Sequence, residues 1–301
     1  GNEEKSTMIL ITGGGRGIGL ATAEKLVRRG NSVVIHGGHD PEQLRQSTLR
    51  LRSMVRHPDQ RVESILTDLS DPESVVPFCE TVWEMTGGVT GLVAAAGSDI
   101  LTHGASRWPF ERRLNALLSV DLIATAQIAR WFGARIRDLS DPVSSSDLTG
   151  PSDSPNATDF PNTSDFPSHI GSAISPVHVV PSDERIDRSI VLIGWSGVDH
   201  GTKGDGGQLF GLAKGAIHGF SRSLAKSLAP EVRVNVVAPG WIRTGWGEQT
   251  STRWRNHVRR TTSLERWGTP EEVASLIVFL LSPKSSYLNG TIIPVDGMVT
   301  E

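Results

Sequence analysis

Cysteine and tyrosine each occur once in the 301 residues, as Cys79 and Tyr287. A lone thiol excludes an internal disulfide framework. No apolar run approaches the roughly 18 residues that a membrane-spanning helix needs. No secretory signal pattern precedes Met8, and Gly1–Thr7 reads as a polar extension, so a reducing cytoplasm is the expected location. Charge of one sign is also missing: 30 basic and 33 acidic residues are interspersed and leave a net charge of −3. That balance offers no basic face to nucleic acid or a membrane surface and points to a small-molecule partner.

What is present is 37% hydrophobic residues, enough for one substantial core. Short β-branched runs alternate with helical patterns: MILI (8–11), SVVI (32–35), VESILTD (62–68), GLVAAAG (91–97), SIVLIG (189–194), VRVNVVAP (232–239) and TIIPV (291–295). Such βαβ alternation predicts a single α/β domain with a doubly wound parallel sheet of about seven strands, covered on both faces. Leu20, Ala23 and Val27 recur at helical spacing before Arg28, Arg29 and the stop Gly30. Residues 112–137 read as one long helix. Residues 138–186 break the rhythm with Ser, Asp and Pro, including TDFP (158–161) and SDFP (164–167), and read as a flexible insertion in a domain made of 1–137 and 187–301. Joining a helix end to a strand start, the insertion is expected at the amino edge of the sheet, opposite the carboxyl edge where open α/β sheets bind ligands. It reads as a solvated loop, with partner docking the alternative.

The first strand runs into TGGGRGIGLA (12–21). Gly13, Gly15, Gly17 and Gly19 let the backbone approach a pyrophosphate, and the helix opening at Ile18 offers free N–H groups and a positive dipole end. Strand before and helix after is the context such a cradle requires. The second strand ends in His36-Gly37-Gly38, without the acid that usually takes the ribose 2′-hydroxyl of NAD. Arg16 would instead meet a 2′-phosphate. NADP(H) is therefore expected ahead of NAD(H), with Asp40 turning back to the ribose as the alternative.

These motifs resemble those of the short-chain dehydrogenase/reductase family. TGGGRGIG is similar to its TGxxxGxG, Asp68-Leu69 to its adenine-contacting pair, and AAAG, with Ala95, Ala96 and Gly97, to its NNAG turn. NVVAPGWIRT (235–244) resembles its PG segment, in which the positions of Pro239, Gly240, Ile242 and Thr244 lie at the cofactor. RWGTPEEVASLIVFLLSPKSSYLNGTIIPVDG (266–297) resembles its last helix and strand. The resemblance implies a Rossmann-type fold, an NAD(P)H-dependent oxidoreductase, and a homodimer or homotetramer built through helices 112–137 and 208–228.

The resemblance also implies an Asn, Ser, Tyr, Lys catalytic set, and three of the four positions depart from it. Asp121 stands in the asparagine place, Trp195 in the serine place with Ser196 next to it, and Phe210 in the tyrosine place; Lys214 matches. Tyr287, in SSYLNG, is expected to pack before the last strand. Phenylalanine has no proton to give, but a general acid typically contributes only about 10²- to 10⁴-fold, so hydride transfer need not vanish. Four replacements are open: a proton from the substrate or water, His200 (beside Asp199 in the loop after the fifth strand), Ser196 if the chain bulges, and Lys214. Ser98, Trp195, Trp241 and Trp246 are expected to line the substrate pocket, with Trp108 and Trp254 nearby; such indoles fit an aromatic or polyketide-like ketone. Arg253, Arg255, Arg259 and Arg260 read as contacts for an anionic substrate or as a solvated helix face. The rival functions are a catalytically silent cofactor-binding scaffold and a non-redox cyclase or dehydratase on the same fold.

Overall fold

The computed structural model describes residues 8–102, 104–138, 188–245 and 251–300. The insertion and Trp246 thus lie outside the described residues. Seven parallel strands form one sheet in the order β3-β2-β1-β4-β5-β6-β7. They are β1 (Met8–Thr12), β2 (Ser32–Gly37), β3 (Val62–Leu66), β4 (Gly91–Ala94), β5 (Ser189–Ile193), β6 (Arg233–Pro239) and β7 (Ile292–Val295). Each was anticipated from its sequence run; the five inner strands are apolar because they are buried on both faces, while the edge strands β3 and β7 are only partly buried. All five residues of β1 and all seven of β6 are buried.

Helices α1 (Gly17–Arg28), α2 (Pro41–Arg52) and α3 (Pro72–Thr86) make the first crossovers. Between α1 and β2, Arg29 N–H bonds the Leu26 carbonyl and Gly30 takes φ +88°, the left-handed conformation that lets the chain turn off the helix. Leu26, Val27, Ile277 and Val278 pack on one face of the sheet with Val33 and Ile35. Phe78, Phe132, Ile128 and Ile217 pack on the other with Leu10 and Leu92. The strand order reverses between β1 and β4, and the chain leaves the sheet in opposite directions there. This opens a crevice at the carboxyl edge.

The helix expected over 112–137 is helical throughout but not uniform. It consists of α4 (Phe110–Leu117), a π-helical stretch Leu118–Ala124 and α5 (Thr125–Asp138). The wider turn inserts one residue into the helical phase, and such turns recur at functional sites. Its centre is Asp121, which is buried. The remaining helices are α6 (Gly197–His200), α7 (Gly204–Leu228), α8 (Thr252–Thr261) and α9 (Pro270–Leu280). No described helix is long and apolar enough to cross a membrane. Tyr287, expected to pack before β7, is instead fully exposed after a 3-10 turn, and the core there is closed by Leu288.

Candidate active site

Helices α2, α3, α8 and α9 cap their own first turns with the side chains of Asp40, Asp71, Ser251 and Thr269. Helix α1 does not. Its N-cap, Arg16, makes no side-chain cap bond, and the first turn carries no acid. The N–H groups at this end are left for an outside acceptor. The turn that presents them is pinned from below. Gly14 N–H bonds the His36 carbonyl at 3.0 Å, and the Gly15 carbonyl accepts from Gln43 Nε2 at 3.2 Å and Ser47 Oγ at 2.8 Å. Gly13 adopts φ +67°, and a Cβ there would come within 2.6 Å of the Ala95 carbonyl oxygen. A Cβ on Gly19 would lie 2.3 Å from the Gly13 oxygen. These two glycines are set by close backbone approach, and Gly17, at φ +53°, by its conformation.

His36 corrects the sequence reading. Its side chain does not face the crevice but is buried beneath the turn, 2% exposed. Nδ1 accepts from Gly13 N–H at 3.3 Å, and Nε2 lies 2.8 Å from the Thr67 carbonyl. A carbonyl cannot donate and an amide cannot accept, so the ring is the neutral Nε2–H tautomer. Burial lowers its pKa from 6.5 to about 4. Strand alternation was the available signal: in a strand buried on both faces, every side chain points into protein.

Around the crevice, Ala96 N–H bonds Thr12 Oγ1 at 3.2 Å, tying the end of β4 to the end of β1. Thr12 is 1% exposed. Leu69 is buried, while Asp68 accepts from Ser70 N–H and Oγ and lies 3.7 Å from His39 Nε2. Ile242 is buried against the core beyond Pro239 and Gly240, and Thr244 lies 3.5 Å from the Cβ position of Gly17. The glycine turn and the segment after β6 therefore face each other across the opening. Asp40 caps α2 through Gln43 N–H at 2.9 Å and is not turned to the ribose position. Arg16 is exposed and has no ion-pair partner among the described residues. These residues fit a dinucleotide: amides for the pyrophosphate, an unpaired cation and no free carboxylate beside the turn.

The catalytic positions fall together. Lys214 Nζ lies 2.9 Å from Asp121 Oδ1, with the two side chains 9% and 4% exposed. Asp121 Oδ2 accepts from Ser98 N–H at 2.7 Å. A Cβ on Gly97 would meet Asp121 Oδ1 at 3.1 Å. The π-helical stretch thus aims a carboxylate, in the asparagine place, at both the end of β4 and the lysine. Ser98 serves this frame: its hydroxyl bonds the Ala116 carbonyl at 2.7 Å.

Phe210, one helical turn before Lys214, packs on an apolar cluster with Ile100, Leu117, Leu209 and Ala213. Its ring lies 6.1 Å from that of Trp195. The Trp195 indole folds back over Gly197, where a Cβ would come within 2.2 Å of it. β5 ends at Ile193, so strand alternation no longer governs Ser196, which sits at the N-cap of α6 in a helical conformation. Its hydroxyl is buried and has no hydrogen-bond partner. His200 is exposed at the end of α6, and Asp199 beside it is exposed too. Trp241 stacks with Trp254 at 5.4 Å and Trp267 at 6.1 Å. Trp108 lies under the Arg112 guanidinium at 4.0 Å.

Sequence reasoning missed His218. One turn beyond Lys214, it is 4% exposed and its Nε2 accepts from Trp195 N–H at 3.4 Å. Burial lowers its pKa. The signal was Gly194: a Cβ there would strike His218 Nε2 at 2.3 Å.

A family profile described as short chain dehydrogenase matches residues 7–132, and one described as Enoyl-(Acyl carrier protein) reductase matches 177–300. The chain belongs to the short-chain dehydrogenase/reductase family. Its members are NAD(P)H-dependent oxidoreductases, and this chain is one of them. The short-chain reductase protein NovJ of Streptomyces niveus is 27% identical over 97% of this chain and 94% of its own. A 3-oxoacyl-[acyl-carrier-protein] reductase FabG of Aquifex aeolicus is 27% identical over 96% and 95%. Among solved structures, a 3-oxoacyl (acyl-carrier-protein) reductase from Agrobacterium tumefaciens C58 with NADP bound superposes with a TM-score of 0.71 at 21% identity, over 97% of this chain and 94% of that one.

Two outcomes follow from this short-chain dehydrogenase site. His36 has a lower proton affinity folded, about 4, than the 6.5 of the free side chain, so the unfolded chain binds the extra proton and stability rises with pH. The contribution is complete above pH 6.5 and is lost as pH falls towards 4, amounting to about 3 kcal/mol. Urea unfolding from pH 7 to pH 4 should show that loss in the wild type, and a smaller one in His36→Gln. For the buried ion pair, Asp121→Ala should cost about 3–5 kcal/mol by stranding Lys214, and Asp121→Leu with Lys214→Met should cost less than that single change. A silent Asp121→Ala in the same denaturation would show that the pair is not held out of water.

Proposed function

We propose that the protein is an NADPH-dependent ketoreductase that acts on an aromatic or polyketide-like ketone without a tyrosine proton donor. The observation carrying this reading is the pairing of an uncapped, pinned glycine turn with a phenylalanine one turn before Lys214. A dinucleotide held at the glycine turn would supply the hydride for the carbonyl carbon, whose oxygen would need one proton to complete the alcohol. The residues of the chain then have these parts. Arg16 meets the 2′-phosphate as a charge-assisted donor. Lys214 is fixed by Asp121 through one of its three protons, leaving two for the ribose and for a water. Phe210, Trp195 and the cluster of Ile100 and Leu117 exclude solvent from the reacting carbonyl and hold a flat substrate over the crevice, so that orientation supplies most of the acceleration.

No phenol stands at the tyrosine place, the Ser196 hydroxyl is buried and His200 lies in solvent. This favours a substrate that brings its own acidic hydroxyl beside the carbonyl, or a water ordered by Lys214. Exposed Ile123 and Leu212 on the π-helical stretch and α7 suit a homo-oligomer.

NADPH consumption with aromatic ketones bearing or lacking a neighbouring phenol tests the proposal. The wild type should turn over the phenol-bearing ketones faster, and Phe210→Tyr should raise turnover of the others by about 10²-fold. Equal wild-type rates on both sets would mean that another donor serves the site. No turnover of any ketone, with NADPH still bound, would favour the silent scaffold.

A further inference from the structure

Helix α8 carries Arg253, Arg255, Arg259 and Arg260 and no acidic residue, within a chain whose net charge is −3. The helix divides its surface. Trp254 and His257 turn to Trp241, at ring distances of 5.4 and 6.5 Å. Val258 and Thr261, 0% and 3% exposed, enter the core. Asn256, Arg259 and Arg260 fall on a different flank at helical spacing. There they line a cavity of about 540 Å³ together with Thr262 and Ser263.

The floor of this cavity is fixed backbone. Ser263 N–H bonds the Met298 carbonyl at 2.9 Å, and Thr300 N–H bonds the Thr261 carbonyl at 2.9 Å, clipping the segment after α8 to the segment after β7. Neither Arg259 nor Arg260 has an ion-pair or hydrogen-bond partner among the described residues. Thr262, 4% exposed, has a buried hydroxyl with no partner. Among the described residues one carboxylate, Glu265, also lines the cavity, so two guanidiniums face one acid there. Unspent donors, a positive excess and a preformed hollow describe a receptor for a small anion.

We propose that this cavity binds an oxyanion, phosphate or phosphate ester, at a site separate from the glycine turn. Arg259 and Arg260 hold it as a fork. Asn256, Ser263 and, after a side-chain rotation, Thr262 complete the hydrogen bonds. Because both arginines are exposed to water, each contributes modestly, and the affinity for a free ion is weak.

The test is calorimetric titration of NADPH-saturated protein with inorganic phosphate and, separately, with phenyl phosphate. Saturable binding of inorganic phosphate is expected, weakened about fivefold or more in Arg260→Gln and within about twofold of wild type in Arg253→Gln. Both positions are exposed on α8, so both variants fold and change the net charge equally. Phenyl phosphate binding as well as the free ion would extend the site to phosphate esters; its exclusion would confine the site to inorganic phosphate. No saturable phosphate binding, or equal weakening by the two arginine variants, would overturn the proposal. Because the readout is phosphate and not turnover, that result leaves the ketoreductase reading untouched.

Discussion

The arrangement depends on the start of α1, which like those of α4, α6 and α7 has no side-chain cap, being presented at the carboxyl edge of the sheet. Where α2, α3, α8 and α9 place an oxygen over their first amides, α1 places the peptide after Gly15 and a side chain, Arg16, that cannot accept. Orphan amides are costly when they have no partner. Holding them open therefore needs support from below, and the structure supplies it through His36, Gln43 and Ser47. His36 does this only when neutral, because a second ring proton would oppose Gly13 N–H. The lowered proton affinity of this residue and the shape of the turn are the same fact seen from two sides.

The second centre is the buried pair of Asp121 and Lys214. An asparagine in this place would offer the lysine a neutral oxygen; the aspartate offers a full charge and also takes the Ser98 amide. Breaking the helix into a π-helical stretch is what brings that carboxylate inward. One helical turn before the lysine, Phe210 packs on Ile100, Leu117, Leu209 and Ala213, and its ring lies 6.1 Å from that of Trp195.

The fold was legible because doubly buried strands announce themselves as apolar runs and because glycine at Gly13, Gly17 and Gly19 has a steric cause. The pairing of Asp121 with Lys214 is the part of the expected site that the structure brings together. What was not legible depends on contacts between distant segments. His36 read as a crevice residue because it ends a strand, but its burial is decided by Thr67, 31 residues on. His218 read as an ordinary helix residue, since the backbone it supports belongs to β5. Ser98 read as a pocket residue, yet its hydroxyl is spent on Ala116. Tyr287 read as packed, and the neighbouring Leu288 took that place.

The central claim is that the nucleotide crevice is whole although the usual proton donor has been replaced by a hydrocarbon ring. Titrating the protein with NADPH and following the nicotinamide fluorescence tests it most directly, with Arg16→Gln beside the wild type. Saturable micromolar uptake by the wild type, with a loss of about tenfold or more for NADPH but not NADH in the variant, is the predicted result. No uptake of either dinucleotide at millimolar concentration would contradict it.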